Sequence, residues 1–379
     1  KSKKSFNYKI MNNEKFQTFF DCGSSKIRAG VFSKNDKNKT FYSESEFFTD
    51  ESNLESKIEK IIASFEKDTT EYVNNINLMI DSPKMLSIGI SLSKKIDGSQ
   101  LKHRNIQFLV QEAKQQILKC YTNHSIAHII INNYKIDGVN YSYLPDEIVC
   151  HFISLDILFI CLPTDLILYF RNIFSKSNIS INQIICSSYV RSINYKDNLN
   201  LSGHVSFIDI GFSRTSIISY INDKIHILDV LPVGGNHITK DISQILGIGL
   251  EQSEYVKCNF NQTDKNFDDI DISIEMLQKV IFARTEEILE LCEKSIESNV
   301  CMLGNFKMVL MGEGAKILDN RHKDKISFSH DLDFLEETSE DICESGFKFT
   351  TGLNKQEVLV VPKKQIKQGF FEKLFHFFK

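Results

Sequence analysis

Apolar and polar positions follow two rhythms along the chain: short apolar runs that read as buried strands, and runs with apolar residues three and four apart that read as helices. The first strand pair is Phe19 to Phe32 (FFDCGSSKIRAGVF), an apolar strand ending in Asp21, a turn with Gly23, Ser24 and Ser25, then a second apolar strand. The same order returns at Val205 to Ile221, where a strand carrying Asp209 leads through Gly211, Ser213 and Thr215 into Ile217 to Ile221. Between the two, Lys34 to Lys39 is a polar turn and Asn53 to Tyr72 has helical spacing (Leu54, Ile58, Ile61, Ile62, Phe65). Leu86 to Leu92 reads as a strand, Phe108 to Tyr121 as a helix, Ala127 to Asn132 and Leu155 to Cys161 as strands, and Thr164 to Phe174 as a helix. Asn182 to Cys186 then precedes a short helix. Beyond the second pair, Ile238 to Leu246 is a helix, Asn259 to Asp271 a polar loop, and Lys307 to Ala315 (KMVLMGEGA) a strand ending in Gly312-Glu313-Gly314.

The longest predicted helix is Glu275 to Ser298. At about 100° per residue, Leu277, Val280, Ile281, Ile288 and Leu291 share one stripe with Arg284 in its middle. A guanidinium among aliphatic side chains needs a carboxylate, from this chain or from another.

Each hairpin turn presents backbone N–H groups and hydroxyls suited to a phosphate, and the acid before it can orient a hydrated Mg²⁺ that neutralises the phosphate charge. A single such turn is also what an ordinary hairpin with a polar tip looks like. Two of them about 190 residues apart suggest related halves facing each other across a phosphate. Gly312 and Gly314, with Pro232-Val233-Gly234-Gly235, add glycines at strand ends, where backbone can approach a ring or a sugar.

Composition narrows the class. A chain of 379 residues suggests two or three domains. A net charge of −4 gives no reason to expect a nucleic-acid partner. Charged residues at 25% and hydrophobic ones at 42% are ordinary for a globular protein. Nine cysteines without a CxxC pair read as reduced thiols rather than a disulfide framework. The most apolar region, Glu147 to Phe170, is broken by His151, Asp156, Pro163 and Asp165, so it reads as core and not as a membrane span. The first 15 residues are basic without an apolar stretch, which reads as a disordered tail and not as an export signal.

Two Asp-x-Gly hairpins, a late Gly-x-Gly-Ala turn and Val-Gly-Gly before a helix together resemble the nucleotide cleft of the actin and hexokinase superfamily. Within it, LPVGGNHITKD (Leu231 to Asp241) followed by SEYVK (Ser253 to Lys257) resembles FtsA, the actin-like family of bacterial cell division. The resemblance runs from Phe19 to Leu353 and on into the tail. It implies an α/β, actin-like (ribonuclease-H-like) two-lobed fold with an inserted 1C subdomain and a C-terminal amphipathic helix. On that pattern residues 16–92 and 164–202 form domain 1A, 93–163 the insert 1C, 203–236 and 300–354 domain 2A, and 237–299 subdomain 2B. Residues 355–368 form a linker and 369–379 a membrane-targeting helix.

The resemblance also implies ATP and Mg²⁺ as ligands. Asp21, Gly23, Ser24 and Ser25 would form the first phosphate loop, with Lys26 and Arg28 as nearby cations. Asp209, Gly211, Ser213, Arg214 and Thr215 would form the second, and Asp21 and Asp209 would reach Mg²⁺ through water. Gly234, Gly235, Glu254, Lys257, Gly312, Gly314 and Ala315 would surround ribose and adenine. The implied partners are further copies in a filament, the membrane, other division proteins, and the C-terminal peptide of the tubulin-like FtsZ, which would dock on the helix carrying Arg284. The implied location is the cytoplasmic side of the inner membrane at the division site.

Two departures bear on chemistry. The family shows Asp-x-Gly-Gly-Gly-Thr-Thr-Asp at the second loop, whereas DIGFSRTS places Phe212 and Ser213 for two glycines, Arg214 for a threonine and Ser216 for the closing acid. No general base stands out in the insert or around Asp197. The expectation is therefore ATP as a structural switch joining the two halves, with weak or no hydrolysis. In the insert, Ile136-Asp137-Gly138 matches a family run, while Leu144-Pro145-Asp146-Glu147 stands in place of a later family turn.

The tail, GFFEKLFHFFK, places Phe370, Phe371, Leu374, Phe375, Phe377 and Phe378 on one arc of about 160°, with Glu372, Lys373, His376 and Lys379 opposite. An aromatic face backed by lysines suits a membrane interface. Docking on the chain's own core is the alternative, and a helix this short needs several copies in one polymer for firm attachment. Two other functions share the cleft: a small-metabolite kinase, which needs an intact second loop and a catalytic acid, and the actin-like scaffold of a pilus assembly apparatus.

Overall fold

The computed structural model describes residues 15–35, 40–46, 54–145, 147–260, 272–299, 306–318, 331–352 and 357. The readings made on the N-terminal tail to residue 14, on most of the 355–368 linker and on the aromatic tail with Phe370, Phe371, Leu374, Phe375, Phe377 and Phe378 lie outside these residues.

Two five-stranded sheets share one topology. The first holds β1 (Phe16–Cys22), β2 (Lys26–Ser33), β3 (Thr40–Glu46), β4 (Asn75–Ile80) and β9 (Ser180–Cys186) in the order β3-β2-β1-β4-β9. The second holds β10 (His204–Ile210), β11 (Thr215–Ile221), β12 (Lys224–Leu231), β13 (Lys307–Met311) and β14 (Asp331–Phe334) in the order β12-β11-β10-β13-β14. In both, three strands meander antiparallel and the last two add in parallel. The acids occupy equivalent places: Asp21 stands opposite Arg28 and beside Met79, Asp209 opposite Ser216 and beside Met311. The two related halves that the repeated hairpin suggests are thus found, in the two-lobed α/β architecture that the resemblance implies.

Central strands buried on both faces read as continuous apolar runs, which is why Phe19, Phe20, Phe207 and Ile208 have no exposed surface. Helix α1 (Leu54–Thr69) covers the first sheet with the five apolar residues its spacing marked out. Helix α4 (Ser187–Asn198), between β9 and β10, packs on α8 (Ser339–Thr351), and α8 returns to pack on β1 and β2. Together they stand between the sheets.

A third sheet, β5 (Leu86–Gln100), β8 (Val149–Pro163), β6 (His124–Ile136) and β7 (Val139–Tyr141), is ordered β5-β8-β6-β7 and carries α2 (His103–Cys120). It has its own core, including Leu109, Ile153, Leu155 and Phe159. The strand read as ending at Leu92 continues to Gln100, because pairing with β8 carries its polar half. Asp137-Gly138 is a two-residue hairpin turn with positive φ at both positions, and the Asp137 carboxylate accepts from the Phe152 N–H at 2.8 Å.

In the second lobe, α5 (Gly235–Leu246), α6 (Leu250–Cys258) and α7 (Ile274–Asn299) pack around Ile242, Val256, Leu277 and Ile281. The buried arc of α7 is displaced from the predicted stripe. Thr285, Leu289, Cys292 and Ile296 are buried, while Leu291 is exposed, so Arg284 sits at the arc's margin instead of its middle.

Candidate functional site

Both hairpin turns close the same way: the Gly23 N–H donates to the Lys26 carbonyl at 3.0 Å, and the Gly211 N–H to the Arg214 carbonyl at 2.8 Å. The turns meet across the lobes, where the Ser24 and Ser213 hydroxyls hydrogen-bond at 2.9 Å. Asp21 and Asp209 line one cavity of about 250 Å³ behind that contact.

A third acid joins them. Asp81 follows β4, the parallel neighbour of β1, and accepts from the Ser188 N–H at 2.9 Å and the Ser188 hydroxyl at 3.1 Å. The adjacent Ser187 hydroxyl donates to Asp21 at 2.6 Å. Two carboxylates therefore gather at the first turn of α4, the positive end of its dipole.

Each carboxylate also carries a guanidinium. Arg28 donates to Asp21 at 3.2 Å and to Glu313 at 2.6 Å. Arg214 donates to Asp209 at 3.1 Å and to Asp81. Arg191, one turn into α4, donates to Asp209 at 2.5 Å and to both oxygens of Glu337 at 2.8 and 2.9 Å. Glu337 is further held by the Tyr195 hydroxyl at 2.8 Å and the Gly312 N–H at 2.7 Å. Burial by itself would raise the Asp209 carboxyl; the Arg191 and Arg214 charges outweigh it and hold the group below the usual carboxylate range. Glu313 is held low in the same way, with Arg28 opposing its burial.

The cavity lining therefore balances. Asp21, Asp81, Asp209 and Glu313 face Lys26, Arg28, Arg191 and Arg214. This arrangement does not fit the expected Mg²⁺ between Asp21 and Asp209. Guanidinium groups stand where a hydrated cation would sit, and two of them flank Asp209, which would repel a dication. Among the described residues, no group of three or more His, Cys, Asp and Glu side chains forms a metal set.

A second cavity of about 270 Å³ adjoins the first, sharing Ser25, Lys26, Phe212 and Glu313 with it. Each lies a little below the usual range of about 300–1,000 Å³ for a small-molecule site, and joined they make one groove. Gly235, Glu254, Lys257 and Gly314 line the second part. The buried Lys257 ammonium uses three acceptors: the Gly235 carbonyl at 3.1 Å, the Thr239 hydroxyl at 2.8 Å and Glu254 at 2.5 Å. It ties α6 to the glycine turn that opens α5.

Most of the residues singled out from the sequence meet along this groove; three stand behind it. The buried Thr215 hydroxyl donates to the Val233 carbonyl at 2.8 Å. Gly234 lies under the second turn, where a Cβ would come within 2.5 Å of the Gly211 carbonyl. Ala315 belongs to the second lobe's core. Arg284 is remote from the groove. Its guanidinium forks onto Asp241 of α5 at 2.5 and 3.0 Å and reaches Glu287 at 2.7 Å.

Sequence reasoning missed Asp81, Arg191 and Glu337. Asp81 had a signal, since NLMID repeats the strand-then-acid order of the other two. Arg191 lies in a polar helix and Glu337 in an acidic run, and neither pattern marks a buried ion.

With the geometry in hand, comparison with known proteins gives a consistent answer. Residues 206–306 match the family model described as cell division protein FtsA. Cell division protein FtsA from Buchnera aphidicola subsp. Acyrthosiphon pisum is 25% identical over 270 residues, covering 60% of this chain and 60% of that protein. Its counterpart from the Schizaphis graminum subspecies is 24% identical over 242 residues, covering 56% and 57%. The chain thus matches somewhat over half the length of these relatives. Among solved structures, a chain of the PilM-PilN type IV pilus biogenesis complex superposes with a TM-score of 0.61 at 12% identity, covering 88% of this chain and 95% of that one. That likeness speaks to the fold alone. By sequence the chain is similar to the FtsA cell-division proteins over part of its length, and its architecture is the actin-like fold.

Proposed function

We propose that the chain binds ATP in the groove between its lobes and works as a cell-division adaptor, polymerising at the cytoplasmic face of the inner membrane and tethering FtsZ filaments there. The observation that carries this reading is the facing pair of Asp-x-Gly turns, joined at Ser24 and Ser213, in a chain similar to FtsA over part of its length. Ser24, Ser25, Lys26 and Ser213 would hold the phosphates, and Gly235, Glu254, Lys257 and Gly314 the nucleoside end. The nucleotide acts as a structural ligand, since Phe212, Ser213 and Arg214 stand in the second turn and the nearby carboxylates are committed to arginines.

In this reading the 93–163 insert meets the next subunit of the filament, the 237–299 region with Arg284 receives the FtsZ peptide, and residues 369–379 bind lipid. Among the described residues, no helix is long and apolar enough to cross a membrane, which leaves a peripheral attachment open.

Co-sedimentation with anionic vesicles, with and without ATP and the FtsZ C-terminal peptide, tests the proposal. The full chain should carry the peptide into the pellet, and a chain lacking residues 369–379 should stay in the supernatant. Equal pelleting of both chains would refute the anchor, and peptide left in solution would refute the tether.

A further inference from the structure

We infer that the two lobes are closed onto each other by the chain's own ion pairs, Arg214 to Asp81 and Arg28 to Glu313, so that closure does not await a nucleotide. This goes beyond the ATP reading and holds whether or not ATP binds.

The two pairs cross the groove in opposite directions. Arg28 reaches from β2 of the first lobe to Glu313 of the second, and Arg214 reaches from the β10–β11 turn of the second lobe to Asp81 of the first. The Asp81 side chain is 1% exposed and the Arg214 side chain 14%. Parting the lobes would strip both arginines of a partner and leave Asp81 with only the neutral donors of Ser188 and Cys186. An ion poorly reached by water and deprived of its counter-charge is costly, so the pairs favour the closed form even though each contributes little net stability against an apolar replacement.

Charge balance points the same way. A phosphate groove that waits for its anion carries surplus positive charge, and that charge pushes the empty walls apart. Here four acids meet four bases in the lining, and the empty groove has nothing to neutralise. A ligand moves a conformational equilibrium only by its differential affinity for the two forms. With the bridge already made by side chains, ATP has little closure left to drive.

The test is an inter-lobe distance measurement in the full chain, by electron–electron double resonance between site-specific labels at the exposed positions Tyr72 and Ile245. Wild-type protein should give one distance distribution, unchanged between EDTA without nucleotide and excess ATP with Mg²⁺. Arg214→Gln and Asp81→Asn, without nucleotide, should each raise the open population about tenfold or more, equivalent to about 1.4 kcal/mol. Asp81→Asn keeps one acceptor, its carbonyl oxygen, for the Ser188 N–H, and its amide NH2 can donate to the Ser188 hydroxyl, so it decides the matter if Arg214→Gln folds poorly. A wild-type distance that shortens on adding ATP would overturn the inference, as would nucleotide-free variants indistinguishable from wild type. If ATP fails to bind, the ATP proposal falls, and the nucleotide-free comparison still decides this one.

Discussion

Replacing Arg191 with methionine is the sharpest test of how the groove floor is held. The side chain is 6% exposed and makes three charged hydrogen bonds to two carboxylates that are each 2% exposed. Methionine fills much of the volume and supplies none of the charge. Asp209 would keep Arg214, whereas Glu337 would keep only the Tyr195 hydroxyl and the Gly312 N–H. Removing one partner of a buried pair costs about 3–5 kcal/mol, and with two carboxylates affected the upper half of that range applies. At about 2 °C per kcal/mol for a chain of this size, the melting temperature should fall by about 8–10 °C. Differential scanning calorimetry at neutral pH measures it, and the loss should persist at high salt because the pair is shielded from solvent ions. Arg191→Met combined with Glu337→Gln should be milder than Arg191→Met alone, since the second change removes the orphaned charge. A fall under about 3 °C, or a double variant as unstable as the sum of the singles, would refute this account of the network.

Acidification acts on the same network. Asp209 and Glu313 have carboxyls held below their ordinary range, so the folded chain binds their protons less readily than the unfolded chain. Their contribution is complete above about pH 5 and is lost as the pH falls below about 4, a trend that melting curves across pH would contradict if stability rose there. Gly312→Ala should cost at least about 2 kcal/mol: φ is +93° and a Cβ would meet the Asp209 carboxylate and come within 2.6 Å of the Ile210 carbonyl. A melting temperature equal to wild type would overturn that estimate. Arg284→Glu should lose the fork to Asp241 and the proposed FtsZ peptide together; Arg284→Glu with Asp241→Arg should recover thermal stability, and recovery of peptide retention as well would show that the pair acts only structurally.

Much of this protein is legible in its amino-acid sequence alone. Strand-then-Asp-then-Gly at Asp21 and again at Asp209 announces two like halves, because a buried strand must be apolar until it leaves the core and a tight hairpin needs a small residue at its turn. The five apolar residues of α1 fall at helical spacing and are all buried. Local patterns of this kind report which face of an element is covered. They do not report what covers it. The stripe drawn through Leu291 is off by part of a turn, because the true arc of α7 is set by its neighbours α5, β11 and β12. Arg191 and Glu337 are 146 positions apart, and Arg214 and Asp81 are 133 apart. Such charges look like solvated surface until the lobes come together, so only the tertiary structure decided that the acids expected to face a metal would face arginines instead.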